Sequence, residues 1–203
     1  MSAWRMMVMG VVLACGGAPP GWAAEAAVGT PAPEFSLPSA DGRTHTLGDF
    51  RGKFVVLEWF NNECPFVRKH YDSGNMQRLQ ETYTGKGVVW LSIASSAPGK
   101  QGSMTPEQAQ QISRTRHARH TALLLDPAGA VGRRYGAKTT PHVFLVNPEG
   151  VLIYAGAIDD KPSTDPADIA GAKNYVAQAL DEAMAGQPVS VPETPSYGCS
   201  VKY

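Results

Sequence analysis

Two long apolar runs dominate the pattern of hydrophobic and polar positions along the chain. Residues 54–60 and 88–94 are apolar at nearly every position, a pattern typical of strands in a sheet that is covered on both faces. Shorter apolar runs with turn residues between them predict further strands. These are at residues 35–37, 44–47, 122–125, 143–146 and 151–155.

Helical spacing of apolar residues predicts the helices that cover this sheet. The clearest start is at Thr105, an N-cap residue followed by Pro106 and then by Gln108 at the third helical position. The predicted helices span residues 65–83, 105–117, 128–135 and 165–185. The order of elements mixes parallel crossovers with antiparallel hairpins. It therefore predicts the α/β class, with a central mixed sheet flanked by helices, an N-terminal β-hairpin, and a C-terminal helix followed by a tail.

The first residues of the chain have the pattern of an export signal. Arg5 precedes the apolar run 6–14, and small residues follow as far as Ala24 and Ala26. We expect cleavage after Ala24 or Ala26, so that residues 1–24 form a signal peptide. The run is too short for a permanent membrane span, which needs about 20 residues.

Cys15 allows a second interpretation of the same segment. Residues 12–15 resemble a bacterial lipoprotein box, in which case the signal is 1–14 and Cys15 carries a lipid. An uncleaved anchor is a third possibility. Either processed form predicts a periplasmic or secreted protein, and membrane attachment is expected only if Cys15 is lipidated.

Composition narrows the classes of function. Eighteen Lys and Arg residues balance eighteen Asp and Glu residues, which argues against nucleic acid as a partner because phosphate binding needs a basic excess. Three cysteines, Cys15, Cys64 and Cys199, are too few for a disulfide scaffold and form no zinc motif. No metal or organic cofactor is predicted. Three histidines are expected to be solvated: His70, His117 and His120.

Cys64 is the strongest candidate for chemistry. It follows the strand at 54–60 and precedes Pro65, which suits the first position of a helix. At such a helix N-terminus, free N–H groups and the helix dipole favour a thiolate, so the thiol becomes a nucleophile. The alternative is a buried structural cysteine.

The strand at 54–60 followed by Cys64 resembles the active-site strand and turn of thioredoxin-like proteins. Glu58, six residues before the cysteine, matches the spacing of the buried acid in thioredoxin. Thr140 and Pro141 resemble the cis-proline loop that faces the cysteine, and the resemblance implies that Pro65, Thr140 and Pro141 border the substrate.

The stretch from residue 125 to 160 is similar to redoxins, the AhpC/TSA or peroxiredoxin-like branch. The resemblance implies a thioredoxin-like domain over residues 28–186 and a tail over 187–203. Val67 stands where thioredoxin has its second cysteine, which excludes exchange through a C-x-x-C pair. Asn61 and Leu57 stand at the Thr and Pro positions of the peroxiredoxin signature, which argues against efficient peroxide reduction.

Cys199 is the remaining thiol of the mature chain. It lies five residues from the end, after Gly198, in a tail that is expected to be mobile. Because many peroxiredoxins carry a resolving cysteine in such a tail, the resemblance implies a catalytic disulfide between Cys64 and Cys199. A permanent disulfide and a bond between two chains are the alternatives.

Together, the residues and the resemblance predict an exported thiol-dependent oxidoreductase. Cys64 attacks a disulfide or a peroxide, Glu58 handles the proton, and Cys199 resolves the intermediate. The expected partners are a protein disulfide or peroxide substrate and an external dithiol reductant. The alternative is a non-enzymatic module that keeps the fold and binds a client protein or a metal.

Overall fold

The computed structural model describes residues 25–203 and contains nine short strands. In chain order they are β1 (Ser36–Pro38), β2 (Thr44–Thr46), β3 (Val55–Trp59), β4 (Val89–Ala94), β5 (Ala122–Leu125), β6 (Thr139–Thr140), β7 (His142–Val146), β8 (Leu152–Gly156) and β9 (Cys199–Ser200). Five of them form a mixed sheet in the order β5-β4-β3-β7-β8. Strands β3, β4 and β5 are parallel, whereas β7 is antiparallel to both β3 and β8.

The two central strands, β3 and β4, account for the long apolar runs. Every residue of both strands is buried, and successive side chains of β3 enter different cores. Val56 belongs to one apolar cluster, and Leu57 and Trp59 belong to the other. Because both faces of the sheet are covered, the sequence shows continuous rather than alternating hydrophobicity. The predicted fold class is confirmed, including the hairpin of β1 and β2.

Within residues 25–203, five α-helices surround the sheet. They are α1 (Pro65–Asp72), α2 (Asn75–Gly85), α3 (Pro106–Thr115), α4 (Ala130–Arg134) and α5 (Tyr175–Met184), with 3-10 turns at Leu47–Phe50 and Pro166–Gly171. Helix α3 begins as predicted, because the Thr105 side chain accepts a hydrogen bond from the Gln108 amide.

Two predicted helices are wrong in their extent. The segment 65–83 is two helices, because Gly74 adopts a left-handed φ of 72° that ends the first. The segment 165–185 begins as a 3-10 turn, and α5 starts only after Asn174, whose side chain accepts from the Ala177 amide.

The tail at 187–203 lies against the sheet, contrary to the expectation that it is mobile. Near its start, the Ala155 amide of β8 donates to the Pro192 carbonyl at 3.0 Å, and Thr194 donates back to Ala155 at 3.1 Å. Near its end, β9 pairs antiparallel with β6. The tail is therefore part of the fold, held at both ends.

The predicted signal at 1–24 and the alternative that involves Cys15 lie outside the described residues. Among residues 25–203, none of the helices combines the length and the apolar content that crossing a bilayer requires.

Candidate active site

Cys64 occupies the N-cap of α1, as its sequence context predicts. Its backbone is extended, with φ −73° and ψ 123°, and Pro65 takes the first helical position. The proline has no N–H to leave unpaired and its ring pre-sets the helical φ, so α1 begins directly after Cys64, five residues beyond the end of β3. The Cys64 side chain is fully buried, whereas Pro65 is exposed.

Cys64 and Cys199 are brought together although 135 residues separate them in the chain. Their sulfur atoms are 2.8 Å apart, and the Cys64 sulfur is 2.9 Å from the carbonyl oxygen of Thr140. Both cysteines are free thiols. Cys199 reaches this position because it pairs with Thr140 across β6 and β9. The Thr140–Pro141 peptide bond is cis, as predicted.

The two thiols have opposite pKa shifts. Burial alone would raise the pKa of Cys64, but hydrogen bonds from Cys199 and from the Val67 amide outweigh it, so the pKa of Cys64 is lowered. Burial, together with the hydrogen bond to Cys64, raises the pKa of Cys199 to about 11. Cys64 is therefore the more readily deprotonated of the two thiols, an asymmetry suited to nucleophilic attack by Cys64.

Glu58 is fully buried on β3 and is surrounded by donors. Its carboxylate accepts from Trp90 Nε1 at 2.8 Å, Tyr71 Oη at 2.9 Å, Ser92 Oγ at 3.0 Å and Gln80 Nε2 at 3.3 Å. Burial raises the pKa of Glu58 in spite of these bonds. Within residues 25–203 no hydrogen bond joins Glu58 to Cys64, so its role in proton transfer stays a prediction.

The histidines differ from the expectation that all three are solvated. His117 is exposed, but His70 is completely buried and His120 is partly buried. His70 lies on the inner face of α1 because Val67, His70 and Tyr71 follow the i, i+3, i+4 spacing of a buried helical stripe. That spacing was the signal for its burial. Among the described residues, no group of three His, Cys, Asp or Glu side chains is placed to hold a metal ion.

A buried charged cluster beside the cysteines was not predicted. Lys69 and His70 each lie 3.9 Å from Oδ2 of Asp159, and all three side chains are almost fully buried. The tail residue Tyr197 donates a hydrogen bond to the other oxygen of Asp159. Asp159 and Tyr197 are 38 positions apart and no motif connects them, so no local sequence signal identifies this contact.

Comparison with known proteins agrees with this geometry. The profile of the AhpC/TSA family matches residues 28–155, well over half of the chain. The chain belongs to the AhpC/TSA family. This placement confirms the resemblance to the AhpC/TSA branch that residues 125–160 carry.

Relatives of this AhpC/TSA chain include named redox proteins. It is 29% identical over 125 residues to the thiol-disulfide oxidoreductase ResA of Geobacillus thermodenitrificans, a match that covers 61% of this chain and 66% of the relative. The chain thus spans just under two thirds of the length of that relative.

Solved structures support the thioredoxin-like architecture of this family member. An uncharacterized conserved protein from Geobacillus kaustophilus is 26% identical with a TM-score of 0.75, over 87% of this chain and 92% of that one. A putative thiol:disulfide interchange protein DsbE from Chlorobium tepidum is 25% identical with a TM-score of 0.53, over 64% of this chain and 85% of that one.

Proposed function

We propose that this protein is an exported thiol-disulfide oxidoreductase that reduces protein disulfides through Cys64 and Cys199. The observation that carries the proposal is the contact between the two sulfur atoms at 2.8 Å, in which Cys64 has the lowered and Cys199 the raised pKa. The names of the ResA and DsbE relatives favour a disulfide rather than a peroxide as substrate.

The reaction has two exchange steps. The Cys64 thiolate attacks one sulfur of the substrate disulfide, forms a mixed disulfide and releases the first substrate thiolate. Cys199 then loses its proton and attacks the Cys64 sulfur, which releases the second substrate thiolate and leaves a Cys64–Cys199 disulfide. The substrate gains two electrons, and an external dithiol restores both thiols of the protein.

Access to Cys64 requires movement of the tail. The Cys64 side chain has no exposed surface, and Cys199 lies directly on its sulfur. The tail must therefore open to admit a substrate and close again for Cys199 to resolve the mixed disulfide. Pro65, which is exposed, together with Thr140 and Pro141 then borders the surface on which the substrate lies.

The test compares wild type, Cys64→Ser and Cys199→Ser with a protein disulfide and with hydrogen peroxide, each with dithiothreitol as reductant. We expect wild type to reduce the disulfide and Cys64→Ser to be inactive. Cys199→Ser, mixed with the protein disulfide in the absence of dithiothreitol, should stop at a mixed disulfide that mass spectrometry of the non-reduced protein detects. Turnover of peroxide alone would replace this proposal by a thiol peroxidase. An unreactive Cys64 would favour the non-enzymatic binding module.

Export is a separate part of the proposal and rests on the sequence of residues 1–24. Expression of the full chain in a Gram-negative host, followed by mass spectrometry of the N-terminal peptide, tests it. A chain that begins at Glu25 or Ala27 supports the cleaved signal. A chain that begins at a lipid-modified Cys15 supports membrane attachment, and an unprocessed chain contradicts both.

A further inference from the structure

Tyr197 connects the tail to the helix that begins at Cys64. Its hydroxyl donates to Asp159 Oδ1 at 2.5 Å, and its ring packs against Phe66 with centroids 5.9 Å apart. Phe66 is the second residue of α1. The tail is therefore attached to the active-site helix only two residues before Cys199.

Asp159 is a buried acceptor whose Oδ1 is hydrogen-bonded, while its Oδ2 has no hydrogen-bond partner among the described residues. The Lys161 amide donates to Oδ1 at 2.9 Å, while the ammonium of Lys69 and the ring of His70 lie 3.9 Å from Oδ2. Lys69 is itself fixed by the Lys161 carbonyl at 2.8 Å. Burying a carboxylate beside a lysine costs desolvation energy that the attraction between the two charges does not always recover. A gain in stability therefore does not by itself explain the cluster. Orientation of Tyr197 is a second role that the contacts allow.

Gly198 transmits the position of Tyr197 to Cys199. A Cβ atom at Gly198 would lie 2.2 Å from the Thr140 carbonyl oxygen, and its φ is +135°, so the backbone passes β6 in direct contact. The next residue, Cys199, pairs with Thr140. Three consecutive tail residues are thus placed by a side-chain hydrogen bond, a close backbone approach and a strand pairing.

We propose that Tyr197 is a positioning residue for the Cys64–Cys199 reaction, because its hydrogen bond to Asp159 holds the tail in the closed arrangement that puts the Cys199 sulfur on Cys64. This inference rests on the proposed function. Tyr197 does not touch the reacting atoms. It acts on the equilibrium between the closed tail, in which Cys199 can attack, and the open tail, in which a substrate can reach Cys64.

Loss of the hydroxyl should move the two exchange steps in opposite directions. With a stoichiometric amount of a bis(aryl) disulfide that releases a coloured thiol, the first release reports attack by Cys64 from the open tail. The second release reports attack by Cys199 after the tail closes. In Tyr197→Phe we expect a faster first release and a second release slower by about tenfold, the scale of one hydrogen bond to a charged group.

Tyr83→Phe is the matched control. The Tyr83 hydroxyl donates to the Ala177 carbonyl at 3.1 Å and lies outside the tail, so both rates should stay at the wild-type values. Tyr197→Leu, which also removes the contact with Phe66, should exaggerate both changes. General destabilisation of the fold would not accelerate one step while it slows the other.

The outcomes separate this inference from the proposed function. If wild type releases only one aryl thiol and never forms the Cys64–Cys199 disulfide, the proposed function fails, and the role of Tyr197 fails with it. If wild type releases both thiols and Tyr197→Phe does so at unchanged rates, only the positioning role is overturned.

Discussion

The two cysteines lie in regions that are held in different ways. Cys64 follows β3 by five residues, and β3 pairs over five residues with β4 and over five with β7 and contributes to both cores. Cys199 stands on a two-residue strand paired only with β6 in the described structure, in a tail attached by single backbone and side-chain hydrogen bonds. The opening of the tail that we propose would therefore separate Cys199 from Cys64 and leave the pairing of β3 intact.

We call strand β3 and the side chains packed against it the framework. The largest effect is expected from a substitution there. Trp59 is fully buried between Tyr135 and Phe144, with ring centroids at 5.4 and 5.1 Å. Trp59→Ala should lower the free energy of unfolding by about 3–5 kcal/mol because it leaves a cavity in the core. Urea unfolding followed by circular dichroism measures this. A loss below about 1 kcal/mol would contradict the view that packing around β3 holds Cys64 more strongly than the tail holds Cys199.

Gly198→Ala should affect the tail and leave the framework intact. The new Cβ would overlap the Thr140 carbonyl, at a φ that side chains rarely adopt, which costs the closed tail about 1–3 kcal/mol. We expect slower disulfide formation, and a fall in the unfolding free energy in urea that is no larger than the free energy of closing the tail.

Gly42→Ala is the control for the backbone strain at Gly198. Gly42 has φ +84°, but a Cβ atom added there would meet no other atom within 4 Å. The substitution should therefore leave the rate of disulfide formation unchanged. A normal rate in Gly198→Ala would mean that β9 is not needed to place Cys199.

A pH effect is expected where the framework meets the tail. Burial lowers the pKa of His142 to about 4, whereas an unfolded histidine has a pKa of about 6.5. Between these values the unfolded chain binds a proton that the folded chain does not, so stability is lost as the pH falls from about 6.5 to about 4.

His142→Gln should reduce this loss by up to about 3 kcal/mol, because each unit of the difference in pKa is worth about 1.4 kcal/mol; the measurement is the unfolding free energy against pH. The decrease should be partial, because burial also lowers the pKa values of His70 and His120 to about 4. His117→Asn, a substitution of an exposed residue at φ 50°, which asparagine tolerates, is the control for a change of side chain. An equally steep pH dependence in His142→Gln would contradict the prediction.

The smallest effect is expected at the end of the tail. The Tyr203 hydroxyl donates to the Ala137 carbonyl at 2.7 Å, and its ring lies 4.5 Å from the Arg133 guanidinium. Tyr203→Phe keeps the ring and loses one neutral hydrogen bond, about 1 kcal/mol. Hydrogen exchange of residues 195–203 should accelerate several-fold, while that of β3 stays constant. Faster hydrogen exchange in both regions would contradict the prediction that the tail opens independently of β3.

How much the sequence reveals also differs between the two regions. Strand β3, the start of α1 at Pro65 and the cis peptide before Pro141 could be predicted, because each follows from adjacent residues or from a family pattern. The division of the helix at Gly74 and the burial of His70 had local signals, a glycine and a helical stripe, that the prediction did not use.

The order of the tail could not be predicted in this way. The contact of Tyr197 with Asp159 and the approach of Gly198 to Thr140 join residues far apart in the chain. Each depends on the complete fold, because neither partner has a preferred position until the sheet and α1 are packed. Glycine and serine around Cys199 suggest a flexible segment. In the structure, however, the absence of a side chain at Gly198 allows its backbone to approach the Thr140 carbonyl.

The attachment of the tail to Ala155 has a further consequence for solubility. Strand β8 is an outer strand of the five-stranded sheet, and the tail occupies both the amide and the carbonyl of Ala155. Exposed strand edges recruit strands from other molecules and promote aggregation. The tail therefore covers the backbone of Ala155 on this outer strand. An opening confined to residues 197–203 would free Cys64 and leave this contact in place.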